Sequence, residues 1–261
     1  MIRSLSTAAS GMEAEQTRLD VTANNIANVS TPGFKKSRVE FEDMLYSVSR
    51  APGARTGADS MSPTGEQVGM GVRTVGTDRV FSQGDMRQTS NPLDVAIEGA
   101  GFFPVSMPSG EVGYTRDGSF KLDVQGRMVD GSGHPLVSDV VIPPDAQSIS
   151  IAPDGVVMVT VAGDATPTEV GRIELATFAN PGGLLALGHN VFRETIASGT
   201  AIASTPGQNG TGGLAQGTVE MSNVKVVEEM IDLISGQRAY EINARVIRAS
   251  DEMLQQISNL R

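Results

Sequence analysis

Ile2-Arg-Ser-Leu5-Ser-Thr-Ala-Ala9-Ser-Gly-Met12-Glu-Ala-Glu-Gln16-Thr-Arg-Leu19-Asp-Val-Thr-Ala23-Asn-Asn-Ile26 opens the chain. Its members Ile2, Leu5, Ala9, Met12, Gln16, Leu19, Ala23 and Ile26 alternate spacings of three and four, and all but Gln16 are apolar. That is a heptad seam, and no proline interrupts it before Pro32. The spacing predicts a helix over about residues 2–28, roughly 40 Å long at ~1.5 Å per residue. The far end repeats the pattern: Val226, Met230, Leu233, Gln237, Tyr240, Ala244, Ile247, Asp251 and Leu254 form a second seam. Ile231, Ile234, Ile242 and Ile257 widen that stripe, so contact with more than one neighbour is expected. Ser222 or Asn223 is the expected N-cap, with Glu228 and Glu229 favourably placed early in the helix.

Between the two seams the sequence changes character. Asp-Gly pairs at Asp117-Gly118, Asp130-Gly131 and Asp154-Gly155 are turn signals, with β-suited runs such as Phe102 to Val105 and Val156 to Val161 around them. A sandwich or irregular barrel is expected, and no long helix. Residues 46–76 read as an extended, turn-rich arm, and 198–213 as a Gly/Ser/Thr-rich return linker. The fold class is therefore α+β. The N- and C-terminal helices pair as a coiled-coil-like stalk (1–45 with 220–261, a polymerisation core), the arm follows at 46–76, and a β-rich outer domain fills 77–219.

Charge follows the same division. Net charge is −10, but residues 1–50 hold six basic and six acidic residues, while 51–219 hold nine and 17. An acidic middle repels nucleic acid and anionic lipid, so neither is an expected partner. Near-neutral ends suit packing against other chains. No run of roughly 18 apolar residues occurs, so no membrane-inserted helix is expected. After Arg3 no continuous apolar stretch follows, so a cleavable leader is not expected, and the chain is either cytosolic or leaves by a route that cleaves none.

Catalytic and ligand-binding patterns are missing. Cysteine is absent. His134 and His189 both lie in turns without a metal-spaced partner. Gly-x-Ser-x-Gly does not occur, and Gly99-Ala-Gly101 runs into Phe102-Phe103 instead of a helix start. No catalytic, cofactor-binding or metal site is expected. A hydrolase would need a pocket joining one histidine to a carboxylate.

The first helix ends in Asp20-Val-Thr-Ala-Asn-Asn-Ile-Ala-Asn-Val-Ser-Thr-Pro-Gly-Phe-Lys-Lys36. Asn24, Asn25 and Asn28 are unusual in a helical seam. Asn24 and Asn28, four apart, are placed to bond a neighbouring backbone or cap the helix end. Gly33 permits a turn, and Phe34 and Phe41 supply anchors. This stretch resembles the signature of the axial proteins of the bacterial flagellum, the rod, hook and hook-associated subunits. Ser222-Asn-Val224, Gln237-Arg-Ala-Tyr-Glu-Ile-Asn243, Asp94-Val-Ala-Ile-Glu-Gly-Ala-Gly-Phe-Phe103 and Tyr114-Thr-Arg-Asp-Gly-Ser-Phe120 agree with it. Pro104 departs from the pattern and leaves the local strand open. The length, with Phe41 to Tyr46 and the arm to Val75, is most similar to the distal-rod branch. A proximal rod or hook-type subunit is the nearest rival, and a stalked extracellular β-binding module the alternative outside the family.

The resemblance implies a helical homopolymer and no catalysis. It implies proximal rod subunits, the hook protein, the P and L rings and the flagellar export apparatus as partners. The location it implies is the basal body, from periplasm to outer-membrane level. Ile2, Leu5, Ala9, Met12, Leu19, Ala23, Ile26, Met230, Leu233, Tyr240, Ile247 and Leu254 are the expected core and inter-subunit residues of the helices.

Overall fold

The structure is a computed structural model describing residues 2–53, 62–138, 140–161 and 166–259. Part of the expected arm, 54–61, lies outside the described residues, as do the side chains of Ile2 and Ile257. Two units emerge, one of residues 1–27, 37–78 and 225–261, the other of 28–36 and 79–224.

The first unit is helical with a β ribbon. Helix α1 runs Ile2–Ala27. It stops where Asn28 begins a turn, with Thr31 N–H donating to the Asn28 carbonyl at 3.2 Å, and Pro32 removes the next donor. Strands β1 (Ser37–Asp43), β2 (Tyr46–Arg50), β3 (Glu66–Gly69) and β4 (Val72–Arg79) follow. β2 pairs with β3 antiparallel, and β1 pairs with β4. The described part of the expected arm is thus a paired ribbon rather than an extended strap.

The second unit holds β5 (Met86–Gln88), β6 (Val95–Glu98), β7 (Phe103–Ser106), β8 (Val112–Thr115), β9 (Lys121–Leu122) and β10 (Met128–Val129). It continues with β11 (Ala146–Ile151), β12 (Val156–Val161), β13 (Thr168–Arg172), β14 (Leu175–Thr177) and β15 (Leu185–Gly188). β16 (Val191–Arg193), β17 (Ile202–Ser204), β18 (Gly213–Gln216) and β19 (Thr218–Glu220) complete it. Among the described residues, only two sheets exceed two strands, in the orders β15-β16-β8-β7 and β11-β12-β13. The body is built from small sheets of two to four strands.

Of the three Asp-Gly turns, Asp154-Gly155 closes the β11–β12 hairpin, with Gly155 at φ 86°. Asp130-Gly131 follows β10, with the Asp130 and Gly133 amides closing the turn. Asp117-Gly118 joins no hairpin; the Gly118 carbonyl accepts from Val95 N–H. Pro104 sits in β7, an edge strand, where a missing donor is tolerated.

A core of Val95, Ile97, Phe103, Val105, Phe120 and Val157 fills the body. A second cluster stacks Phe102, Phe178 and Tyr114 edge to face at centroid separations of 4.8–5.6 Å. Residues 198–213 belong to this body rather than to a linker. β17 pairs with β14, Ser198 is fully buried, and Thr211 Oγ1 donates to the Gln208 carbonyl at 2.6 Å.

Helix α2 spans Val226–Asn259. Neither Ser222 nor Asn223 caps it: Ser222 Oγ accepts from Val224 N–H, and the Asn223 side chain is spent inside the body. Glu228 and Glu229 do stand in the first turn, where the helix dipole favours negative charge. Among the described residues no helix is long and apolar enough to cross a membrane.

Candidate assembly surface

α1 and α2 lie antiparallel within the first unit. Their close approaches pair Gly11 with Asn243, Leu19 with Gly236, and Asn25 with Glu229. A Cβ on Gly11 would come within 2.9 Å of Asn243 Nδ2, and one on Gly236 within 3.0 Å of Leu19 Cδ2. Arg18 pairs with Glu15 at 3.3 Å and donates weakly to the Asp232 carbonyl at 3.4 Å.

The packed seam agrees with the expected heptad at one of its two positions and shifts by one residue at the other. On α1, Leu5, Met12, Leu19 and Ile26 are half-buried as one ridge, but the second ridge is Ala8, Glu15 and Thr22. Ala9 and Ala23 are exposed on the helix's other side. On α2, Leu233 and Ile247 are half-buried, and the second ridge is Glu229, Gly236, Asn243 and Ser250. Met230, Tyr240 and Leu254 are exposed. The contact within one chain therefore uses small and polar residues, which let the helices approach closely. The half-buried ridge through Leu5, Met12, Leu19, Ile26, Leu233 and Ile247 lies beside it, and other large apolar side chains are left outside. Ile231 is 61% exposed, with Val227, Ile234, Ile242, Val246 and Met253 also exposed.

Asn25 is the buried member of the asparagine cluster. Asn25 is buried; its Oδ1 accepts from Ser37 N–H at 3.0 Å, and its Nδ2 donates to the Ser37 carbonyl at 2.9 Å and to Glu229 Oε2 at 3.0 Å. One amide side chain thus pins the start of β1 to the first turn of α2. Asn24 is exposed, and half-buried Asn28 shapes the turn after α1, its Oδ1 3.3 Å from Thr31 Oγ1.

A second fastening lies in the body. Lys35 is fully buried and its Nζ donates to Glu220 Oε1 at 2.5 Å and to the Ser82 carbonyl at 2.7 Å. Arg116 Nε donates to Glu220 Oε2 at 2.9 Å, and its other nitrogens donate to the Gly101 and Gly99 carbonyls. Gly84 N–H completes the carboxylate's shell at 2.9 Å. Burial pushes the Lys35 ammonium below its ordinary range, against the pull of Glu220. Burial pushes Glu220 up, but Arg116 and then Lys35 outweigh it and hold the carboxyl below its ordinary value. Gly33, at φ 67°, brings its N–H to the Glu220 carbonyl at 2.8 Å; a Cβ there would stand 2.6 Å from Asp117 N. Asn223 closes the same region, accepting from Lys36 N–H at 2.8 Å and donating to the Val80 carbonyl at 2.8 Å.

Three stretches of the chain match known families. Residues 5–35 match the family described as "Flagella basal body rod protein", 96–159 the "Flagellar hook protein FlgE/F/G D1 domain", and 215–260 the "Flagellar basal body rod FlgEFG protein C-terminal". The flagellar basal-body rod protein FlgG of Buchnera aphidicola subsp. Schizaphis graminum is 48% identical over the whole of both chains. That of Borreliella burgdorferi is 46% identical over all of this chain and 99% of its own. The chain belongs to the FlgG family of flagellar basal-body rod proteins. The FlgF rod protein of Caulobacter vibrioides is a more distant relative, 35% identical over 90% of this chain and 88% of its own.

The buried ion cluster of this FlgG-family chain takes one member from each matched stretch: Lys35, Arg116 and Glu220. Sequence reading did not find it. Lys35 and Arg116 stand in the two stretches that carry the resemblance, yet nothing local marks either as buried, and Glu220 lies 185 residues from Lys35. Phe34 is buried as an anchor, whereas Phe41 is at the surface of β1.

One cleft of about 340 Å³ joins His189 to Asp117 and Asp130, the combination a hydrolase would need. Its carboxylates are engaged in turns. Asp117 Oδ1 accepts from Ser119 N–H and Oγ–H, and Asp130 Oδ1 from the Ser132 and His134 amides, with Oδ2 2.8 Å from His134 Nδ1. These bonds shape loops rather than activate a nucleophile. Among the described residues no cluster of ligating side chains could hold a metal ion.

Proposed function

We propose that this chain polymerises helically, through the outward faces of α1 and α2, into a hollow and rigid drive shaft. It is a structural subunit of the bacterial flagellar rod. In this reading the paired terminal helices form a coiled-coil-like stalk that lines an inner tube. The β-rich body faces outward, and the tube transmits torque from motor to hook and passes exported subunits. Full-length identity to FlgG relatives, against 35% to a FlgF relative, favours the distal rod over the proximal. Proximal rod subunits, the hook protein, the P and L rings and the flagellar export apparatus are the proposed partners. The proposed place is the basal body, from periplasm to outer-membrane level. No catalytic role is proposed.

One observation carries this reading. α2 keeps Val227, Met230, Ile231, Ile234, Ile242 and Val246 exposed, a stripe that a soluble monomer rarely leaves open unless another chain covers it. The arm at 46–76 is proposed to wedge between subunits and stiffen the tube; the exposed Tyr46, Val48, Val68 and Met70 support that. Electron micrographs of concentrated purified protein test the polymer: rods or tubes are expected, and monodisperse globules at every concentration would overturn it. Deleting the arm is expected to give bent or absent filaments, and an unchanged straight rod would sink the wedge.

A further inference from the structure

Two cations and one anion are sealed inside the body, and they come from three distant parts of the chain. Lys35 lies in the segment after α1, Arg116 follows β8, and Glu220 ends β19. Lys35 and Glu220 are less than 2% exposed, and Arg116 is 5% exposed. Buried cations without their carboxylate are strongly disfavoured, because water no longer solvates them and main-chain carbonyls alone do not balance the charge. Every main-chain partner of the knot also belongs to the body. Ser82, Gly84, Gly99 and Gly101 bond the three side chains, and Gly33 bonds the Glu220 backbone. The strands that bring Glu220 into place are late in sequence as well: β18 pairs with β6 and β19 with β5.

We infer that the Lys35–Arg116–Glu220 cluster is a folding latch, which holds the body open until the C-terminal strand β19 has joined it. A chain delivered N-terminus first carries Lys35 and Arg116 long before Glu220. Until then the aromatic core around Phe102, over whose ring Arg116 sits at 6.0 Å, cannot close without stranding two charges. The latch thus couples completion of the body to the presence of nearly the whole chain. The inference rests on contacts inside the body and stands whether or not the chain polymerises.

Hydrogen exchange on the full-length chain tests it. In E220Q, amides of β7, β8 and β16 are expected to lose protection together with Gly33 and Gly84, by roughly 100-fold or more. K35M leaves the Arg116–Glu220 pair balanced and is expected to keep most of that protection. Pulsed exchange during refolding of the wild-type chain is expected to protect β7, β8, Gly33 and Gly84 in one phase. The latch is overturned if E220Q loses protection only at Gly33 and Gly84, or if β7 and β8 become protected in a separate, earlier phase. Should E220Q fail to fold, E220D decides: recovery of body protection supports a charge latch, and an E220D chain as unprotected as E220Q overturns it.

Discussion

The two units bury opposite kinds of residue. The body closes over Val95, Ile97, Phe103, Phe120, Leu175 and Phe192, all nearly inaccessible. In the helical unit no Val, Leu, Ile, Phe or Met is buried among the described residues; what is buried there is Ala8, Ala14, Thr22, Asn25, Ser62, Glu229, Gly236 and Ser250. One unit has its core inside a single chain. The other buries small and polar groups where its own helices meet, keeps Leu5, Met12, Leu19, Ile26, Leu233 and Ile247 half-buried there, and leaves many other large apolar groups exposed. A unit built that way gains little stability by itself, because hydrophobic burial scales with the apolar area removed from water. In the proposed polymer, other copies supply the burial that this unit lacks.

The sharpest way to break that contrast is to remove the exposed stripe. Ile231→Ser with Ile234→Ser is expected to abolish polymer while leaving the melting of the isolated chain nearly unchanged. Burying two isoleucines is worth about 3–6 kcal/mol per subunit, so the critical concentration should rise about 100-fold or more. Sedimentation against protein concentration measures it. An equal loss of monomer stability would mean that the stripe already has a partner within its own chain.

The body's dependence on charge is sharpened by pH. Glu220 is held below its ordinary value near 4.5, so the folded carboxylate binds protons less tightly than the unfolded one. The stability it contributes is therefore fully present above that ordinary value and is lost as pH falls through the lower folded value. Urea unfolding of wild type should weaken through this acid window. E220Q should start lower at neutral pH and lack that component of the slope. A wild-type slope retained in E220Q would assign the acid sensitivity to other carboxylates.

A smaller effect is expected at Gly33. Its φ of 67° disfavours any side chain, and a Cβ would press on the backbone at Arg116 and Asp117, which has no flexible end to move. Gly33→Ala should cost the body about 2–3 kcal/mol, read from its denaturant midpoint. It should leave α1–α2 amide protection unchanged if the helical unit keeps its own fastening at Asn25.

What the sequence made legible follows from where each signal lives. Helix periodicity is local, so both helices and the ridges through Leu5, Met12, Leu19, Leu233 and Ile247 could be read directly. The second ridge could not. A heptad count assumes that apolar residues face the neighbouring helix, and here Gly11, Gly236 and Asn243 do so while Ala9, Ala23 and Met230 face away. Periodicity gives a stripe but not which partner it meets. The asparagine cluster was visible as an anomaly, but which member is buried between elements depends on Ser37 and Glu229, one of them 204 residues away. The short strands β13, β15 and β17 carry weak patterns because their pairing is set by neighbours and not by their own alternation. For the same reason 198–213 read as a linker: glycine and threonine there make hydrogen-bonded turns that composition alone does not distinguish from loose chain.

The finest test of the contrast is Gly11→Ala in α1. In an exposed helix interior alanine stabilises by about 1 kcal/mol over glycine, since it narrows the unfolded backbone ensemble. Here the new Cβ would meet Asn243 Nδ2 at 2.9 Å, the end of a flexible side chain. If the seam is held mainly by fastenings such as Asn25 with Glu229, Asn243 can swing aside and the gain survives, leaving the isolated chain equal to wild type or up to about 1 kcal/mol more stable. If close approach of the two helices is itself what stabilises the unit, the same methyl levers them apart and the sign reverses. Thermal unfolding of the monomer followed by helical circular dichroism reads the sign. A gain locates the unit's stability in a few polar fastenings, and a loss locates it in the small-residue contact along the whole seam.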